Sequence, residues 1–309
     1  MQQPRSVELI MPSGYPPDME RVKKAVDRLT MAGHRVLNGE RLQRKFQRFG
    51  GTDEERLSDL NSLADANREL ADIVMAVRGG YGLTRLLDRI DYSGIAARLQ
   101  AANTVLVGHS DFTVLQLALM AKTGLVTFSG PMLNADFGAE PLSQFTWDHF
   151  WQTITAPERE ISWQNEEARD LAVSGTLWGG NLTMLCSLLG TPYFPAVSGG
   201  ILFVEDVNEP PFRVERLLYQ LHLSGILSRQ AALVLGDFSA CKTTDYDNGF
   251  GLPAVIEQIR RISGIPVVSG LPYGHCPDKL TLPVGAMAKL RSADGRVDLK
   301  FSHYPCLCN

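Results

Sequence analysis

The chain lacks any apolar run approaching the ~20 residues that a helix needs to cross a membrane. Its opening, MQQPRSVELIMPSGYPPD, offers only residues 7–11 as an apolar stretch, and Glu8 breaks it. A secretory leader needs a basic start and an apolar core of roughly 7–15 residues. A cytoplasmic protein with no membrane association is therefore expected. There is no basic excess: 30 Lys and Arg stand against 34 Asp and Glu, a net charge of −4. That removes the general electrostatic footprint of a nucleic-acid binder. Cysteine is scarce, with five residues: Cys186, Cys241, Cys276, Cys306 and Cys308. The odd number and irregular spacing argue against a disulfide framework. Cys306 and Cys308 have no second pair to complete a tetrahedral metal site. All five are expected to be free thiols. Internal repeats and low-complexity tracts are also missing.

What is present suits an ordinary globular protein. Of 309 residues, 44% are apolar and 21% charged, enough for two cores. Residues 7–11, 35–37, 73–77, 104–107 and 125–128 read as strands. Helical patterns occupy 19–32, 54–69, 84–90 and 112–121, with Leu57, Leu60 and Leu63 spaced along one face. This alternation predicts βαβ units, a parallel sheet and an α/β fold class. Residues 157–170, PEREISWQNEEARD, are charge-rich with little core pattern. A junction is placed there, between an N-terminal domain over 1–160 and a C-terminal domain over 171–309. In the second half, strands are expected at 171–177, 201–204, 231–235 and 266–268, and helices at 182–188 and 214–223.

Several expected strands end in polar or glycine-rich turns: RGGYG, GHSD, EDVNE, GDFS and SGLPYGH. Ligands of open α/β sheets bind beyond the carboxyl ends of the strands, so chemistry is sought there. In GHSDFT, Ser110 sits between a strand and a helix start. A serine in such a turn presents its hydroxyl above the sheet, and the following helix offers N–H groups to an oxyanion. The pattern is not the full G-x-S-x-G, because Phe112 replaces the last glycine. The plain alternative is that Ser110 caps a helix. In RGGYG the glycines allow close backbone approach. It lacks the Walker and Rossmann spacings, leaving an N–H donor loop or a simple tight turn. A serine nucleophile needs a base, and a histidine base needs an acidic orienter. Glu205 and Asp206 end a strand on opposite faces, with Glu209 and Glu215 as competitors. Among the histidines, His275 lies in a glycine-rich loop after a strand. His109 adjoins the serine, and His149 and His222 fall in helices. A pairing of Cys276 with His275 is a further option, disfavoured because sequence neighbours diverge.

Taken in order, RGGYG, GHSDFT, FSGP, LWGGNL, ILFVEDVNEPPFRVERLLYQL and GLPYGH resemble the serine LD-carboxypeptidase family, the muramoyltetrapeptide carboxypeptidases. The likeness runs from MPSGY to TLPVGA. It implies an N-terminal flavodoxin-like parallel-sheet domain and a smaller C-terminal β-rich α/β domain, with the site at their junction. It implies a triad of Ser110, Glu205 and His275, with an oxyanion hole from the backbone N–H groups of Gly80 and Asp111. Asn181 of WGGN is a candidate substrate contact. The implied reaction removes the terminal D-Ala from a murein tetrapeptide, free or sugar-linked (an anhydromuropeptide), during peptidoglycan recycling. No metal or organic cofactor is needed, and a homodimer is expected. Two alternatives stand: a family member cleaving peptidyl-nucleotide antibiotics, and a catalytically silent protein that binds small ligands.

Overall fold

The computed structural model describes residues 3–165, 167, 169–238 and 240–308. Glu166 and Ala168 of the expected junction, and Ser239 of the GDFS turn, lie outside the described residues. The first sheet is built from β1 (Ser6–Ile10), β2 (Arg35–Leu37), β3 (Ile73–Ala76), β4 (Val105–Gly108) and β5 (Thr127–Ser129). These pair in parallel in the order β2-β1-β3-β4-β5, the flavodoxin-like arrangement. Helices cover both faces, so β3 is apolar throughout: Ile73, Val74, Met75 and Ala76 are all fully buried. The chain reverses direction across the sheet between β1 and β3. The loops leaving β1, β3 and β4 therefore flank one crevice at the carboxyl edge.

The helices of this half start where local chemistry allows. Asp18 caps α1 (Met19–Met31) by accepting from the N–H groups of Glu20 and Arg21, and Val22, Ala25 and Leu29 face the core. A capping box between Thr52 and Glu55 opens α2 (Asp53–Asn61). It ends well before residue 69, passing through a 3₁₀ turn to Asp65, whose carboxylate takes the N–H of Asn67 in a local turn. Residues 84–90 form two short 3₁₀ turns rather than a helix. α3 (Tyr92–Ala102) starts only after Asp91, which caps it through Gly94. α4 (Thr113–Thr123) is buried along its first two turns, and α5 (Gln144–Ile154) closes this half.

The second sheet contains β6 (Glu158–Gln164), β7 (Leu171–Asn181), β8 (Ile201–Glu205), β9 (Ala232–Leu235) and β10 (Val267–Val268). Its helices are α6 (Leu182–Ser187), α7 (Pro211–Leu223) and α8 (Leu252–Ser263). Three strands follow: β11 (Leu282–Val284), β12 (Met287–Ala293) and β13 (Arg296–Ser302). The order is β10-β9-β8-β7-β12-β13-β6, parallel from β10 to β7 and antiparallel beyond.

Three further results depart from expectation. Residues 158–164, read as part of a junction, are the edge strand β6. Ile161 and Trp163 point inward while Glu158 and Glu160 face water, so half of the strand looks like linker. β11 belongs to the first sheet, antiparallel to β5, so the C-terminal half of the chain returns to the N-terminal one. Cys306 and Cys308 are disulfide-bonded rather than free, their Cα atoms 5.2 Å apart and within bridging range. Cys186, Cys241 and Cys276 are free.

Candidate active site

β4 delivers the chain into the turn at His109, and Ser110 follows with φ of +66°. A non-glycine residue in this left-handed region is strained, and the same strain is found where a nucleophile is raised above a sheet. Ser110 does not cap α4: the cap position is Phe112, and a single 3₁₀ turn over Ser110–Phe112 intervenes. Ser110 is left partly exposed.

RGGYG lies directly against this turn. A Cβ on Gly79 would stand 2.8 Å from Cβ of Ser110 and 3.1 Å from its Oγ, so only glycine permits the approach. Gly80 follows with φ of +101°. Both loops are tied down. Gly14 donates its N–H to the carbonyl of Gly79 at 3.0 Å, and Arg78 Nη1 donates to the carbonyl of Tyr15 at 2.8 Å. Beneath them Arg56, fully buried, donates Nη1 to the carbonyls of Pro12 at 2.6 Å and Gly82 at 2.9 Å. Its Nη2 pairs with Asp53. The buried carboxylate of Asp111 accepts the N–H of Leu83 at 3.0 Å, and burial pushes its pKa up. Its side chain thus braces the RGGYG loop, and any part it takes in chemistry falls to its main chain.

Glu205 is the last residue of β8 and is fully buried. Its Oε2 accepts from Nδ1 of His275 at 2.7 Å. The ring of His275 is itself 4.6 Å, centre to centre, from that of His109, the residue preceding Ser110. Gly274, with φ of +146°, lets the loop after β10 press onto Glu205; a Cβ there would lie 2.9 Å from Cβ of Asp237 and 3.2 Å from Cβ of Glu205. Burial raises the Glu205 carboxyl, but contacts with the two imidazoles outweigh it and hold the group well below the usual carboxylate range. Glu205 is therefore ionised at neutral pH.

The neighbours sort themselves around this contact. Asp206 is engaged elsewhere: its Oδ2 takes the N–H and hydroxyl of Thr183 at 2.9 and 2.7 Å. Glu209 pairs with Arg213 on the surface. Asn181 pairs in register with Glu205. Its amide donates to Glu205 Oε1 at 3.1 Å and to Asp206 Oδ1 at 3.0 Å, and its Oδ1 accepts from Met184 at 3.1 Å. It is buried beneath the carboxylate, where it holds Glu205, rather than open to a substrate as expected. Cys276 donates to the carbonyl of Asp278 at 3.1 Å, and burial lifts its thiol to about 11. It is no partner for His275. His149 packs on Phe145 within α5, and His222 on Tyr219 within α7. Arg56 and the contact of His109 with Glu205 were not anticipated. Both join residues far apart in sequence, and no local pattern signals them.

The ligating atoms of His109, Glu205 and His275 lie within 4.8 Å of one another. The ammonium of Lys279, 3.5 Å from Nδ1 of His109, sets a positive charge against that cluster. Such a group is suited to holding and moving protons rather than to binding a cation.

Comparison with known proteins fits this geometry. The LD-carboxypeptidase N-terminal domain family matches residues 7–130, and the C-terminal domain family matches residues 174–290. The crystal structure of a muramoyltetrapeptide carboxypeptidase from Oxalobacter formigenes is 47% identical, with a TM-score of 0.90 over 97% of this chain and 99% of that one. A probable murein peptide carboxypeptidase of Bacillus subtilis is 32% identical over 292 residues, 94% of this chain and 89% of its own. The microcin C7 self-immunity protein of Escherichia coli is 29% identical over 300 residues, covering 86% of this chain and 83% of its own. With both halves matched in order along one chain, the protein belongs to the LD-carboxypeptidase family.

Proposed function

We propose that the protein is a serine carboxypeptidase that removes the terminal D-Ala from murein tetrapeptides, with Ser110 as nucleophile, His275 as base and Glu205 as the acid orienting it. The observation that carries the proposal is the 2.7 Å contact of Glu205 with His275 beside a serine held at positive φ. Glu205 accepts a hydrogen bond from the Nδ1–H of His275, which leaves the Nε2 lone pair for the hydroxyl of Ser110. As Ser110 attacks the carbonyl, His275 accepts its proton and Glu205 steadies the imidazolium. Collapse of the tetrahedral intermediate passes that proton to the leaving amine of D-Ala, and water then resolves the acyl-enzyme. The backbone N–H groups of Gly80 and Asp111 would receive the oxyanion, each worth roughly 3–4 kcal/mol of transition-state stabilisation. The approach of RGGYG to Ser110 supports this placement.

Basic side chains near the crevice suit a substrate carrying carboxylates. Lys45 lies over the ring of Tyr15 at 4.3 Å, Arg48 over that of Tyr81 at 5.6 Å, and Arg78 precedes Gly79. Cytoplasmic action as a homodimer is part of the proposal, on family likeness. No helix among the described residues is long and apolar enough to cross a membrane.

The direct test is mass spectrometry of a tetrapeptide incubated with the enzyme. Loss of one alanine and no other cut is expected. An intact tetrapeptide beside a cleaved aminoacyl-nucleotide would instead favour the activity suggested by the self-immunity relative. The RGGYG placement has its own test. Gly79→Ala should lower kcat at least ~100-fold through displacement of Ser110, with KM changed far less in steady-state kinetics.

A further inference from the structure

Glu205 has a second oxygen that its bond to His275 does not use. This Oε1 accepts from Asn181 at 3.1 Å and lies 3.4 Å from Nε2 of His109. His109 is completely buried, edge-on to Tyr273 with ring centres 5.4 Å apart. Its Nε2 has no hydrogen-bond partner among the described residues, and Glu205 is the acceptor it approaches. On the far side of the ring, Nδ1 lies 3.5 Å from Nζ of Lys279, which pairs with Oδ1 of Asp136 at 2.9 Å. Lys279 is 2% exposed and Asp136 8%. The second oxygen of Asp136 accepts the N–H of Met132 at 2.8 Å.

Chemistry decides where the protons sit. An ammonium can only donate, so the Nδ1 facing it is an acceptor. The proton of a neutral imidazole then sits on Nε2 and points at Glu205. His109 stays neutral because burial, and next the charge of Lys279, lower its pKa to about 4. A buried Lys–Asp pair is costly to desolvate, and apolar residues commonly replace one at no loss of stability. Its position behind a catalytic carboxylate supports a role other than packing.

We propose that His109, its tautomer set by the Lys279–Asp136 pair, is a positioning residue for Glu205. Its Nε2–H steadies Oε1 so that Oε2 stays aimed at His275. The inference rests on the triad proposed above. The 3.4 Å separation suits a contact that tightens as the reaction proceeds, as hydrogen bonds in unliganded sites often do.

His109→Phe removes the donor, and Lys279→Met frees the tautomer while leaving Asp136 negative. Each raises the negative potential at Glu205 and favours the protonated form of the base. The acid limb of kcat/KM against pH should therefore move to higher pH. The other ionisable groups facing this pair stay in place in both variants: Asp206, Asp237, Tyr273 and Cys276.

Both variants are assayed for D-Ala release across pH, with circular dichroism to confirm folding. Each should lose roughly 10- to 100-fold in kcat, keep KM within about twofold, and shift the acid limb upward by at least ~0.5 unit. Unchanged kcat, or a lower kcat with the limb unmoved, in either folded variant would overturn the proposal. If His109→Phe does not fold, Lys279→Met alone decides it. Ser110→Ala, run alongside, separates the two failures. If that variant keeps activity, the triad is wrong. If it is inactive while the two profiles stay put, only the role of His109 is lost.

Discussion

Ser110→Ala is expected to lower kcat for D-Ala release by about 10⁶-fold, the scale on which triad nucleophiles act. Folding should be unaffected, because the side chain is small, partly exposed and caps no helix. Removal of Oγ alone at a left-handed position neither creates nor relieves much strain, since alanine keeps the Cβ. The oxyanion donors and binding groups remain, so a residual rate above the uncatalysed one should persist. Single-turnover measurement by mass spectrometry gives the required range. Loss of less than tenfold would place the nucleophile elsewhere.

Glu205→Gln should cost about 10⁴-fold in kcat. The side chain keeps its size in a fully buried position, but the charge that accepts from His275 is gone. Asn181 and His109 both present N–H groups to this position, so the glutamine oxygen will be drawn to them and its NH₂ left toward His275. His275 must then turn a lone pair toward Glu205's replacement, and its proton moves to the nitrogen meant to face Ser110. The same loss of charge disfavours the imidazolium, so the acid limb of the pH profile should move to lower pH. This is opposite in sign to the shift expected for His109→Phe, which makes the pair of profiles informative. Steady-state kinetics between pH 5 and 9 would read both.

Much of the first sheet was legible because its strands are short, apolar and buried on both faces, and such runs stand out between helical patterns. Ile73 to Ala76 is the plainest case. The turns that follow the strands were legible for the same reason: polar and glycine residues after an apolar run mark a strand's carboxyl end. What escaped depended on partners distant in sequence. Glu8 looked like a break in an apolar run, yet it is fully buried inside β1, where it accepts from Asn38 and Arg41 and pairs with Arg68. Trp163 and Ile161 were masked by the charged residues alternating with them in β6. The strands β12 and β13 alternate in the same way and went unread. α5 and α8 also passed unmarked, though α8 buries Val255 and Ile259 on one face. In the candidate site, Ser110, Glu205 and His275 each sit after an expected strand and could be nominated locally. Choosing among them needed the family likeness, because Asp206, Glu209 and His109 satisfied the same local criteria. The contacts made by Asn181 and His109 depend on register between β7 and β8 and on the turn after β4, which no local pattern reveals.

The return of β11 to the first sheet has a consequence for how the chain can be divided. It covers the outer edge of β5 through pairs from Leu282 with Ser129 to Val284 with Thr127. A fragment ending near residue 157 would leave that edge unpaired, with its N–H and C=O groups open to another strand. Bare edges of this kind recruit one another and seed aggregates. The two family-matched segments thus share the first sheet. The stretch from His275 to Val284 is fastened to the opposite half just beyond the proposed base, so it joins the two halves as a strap.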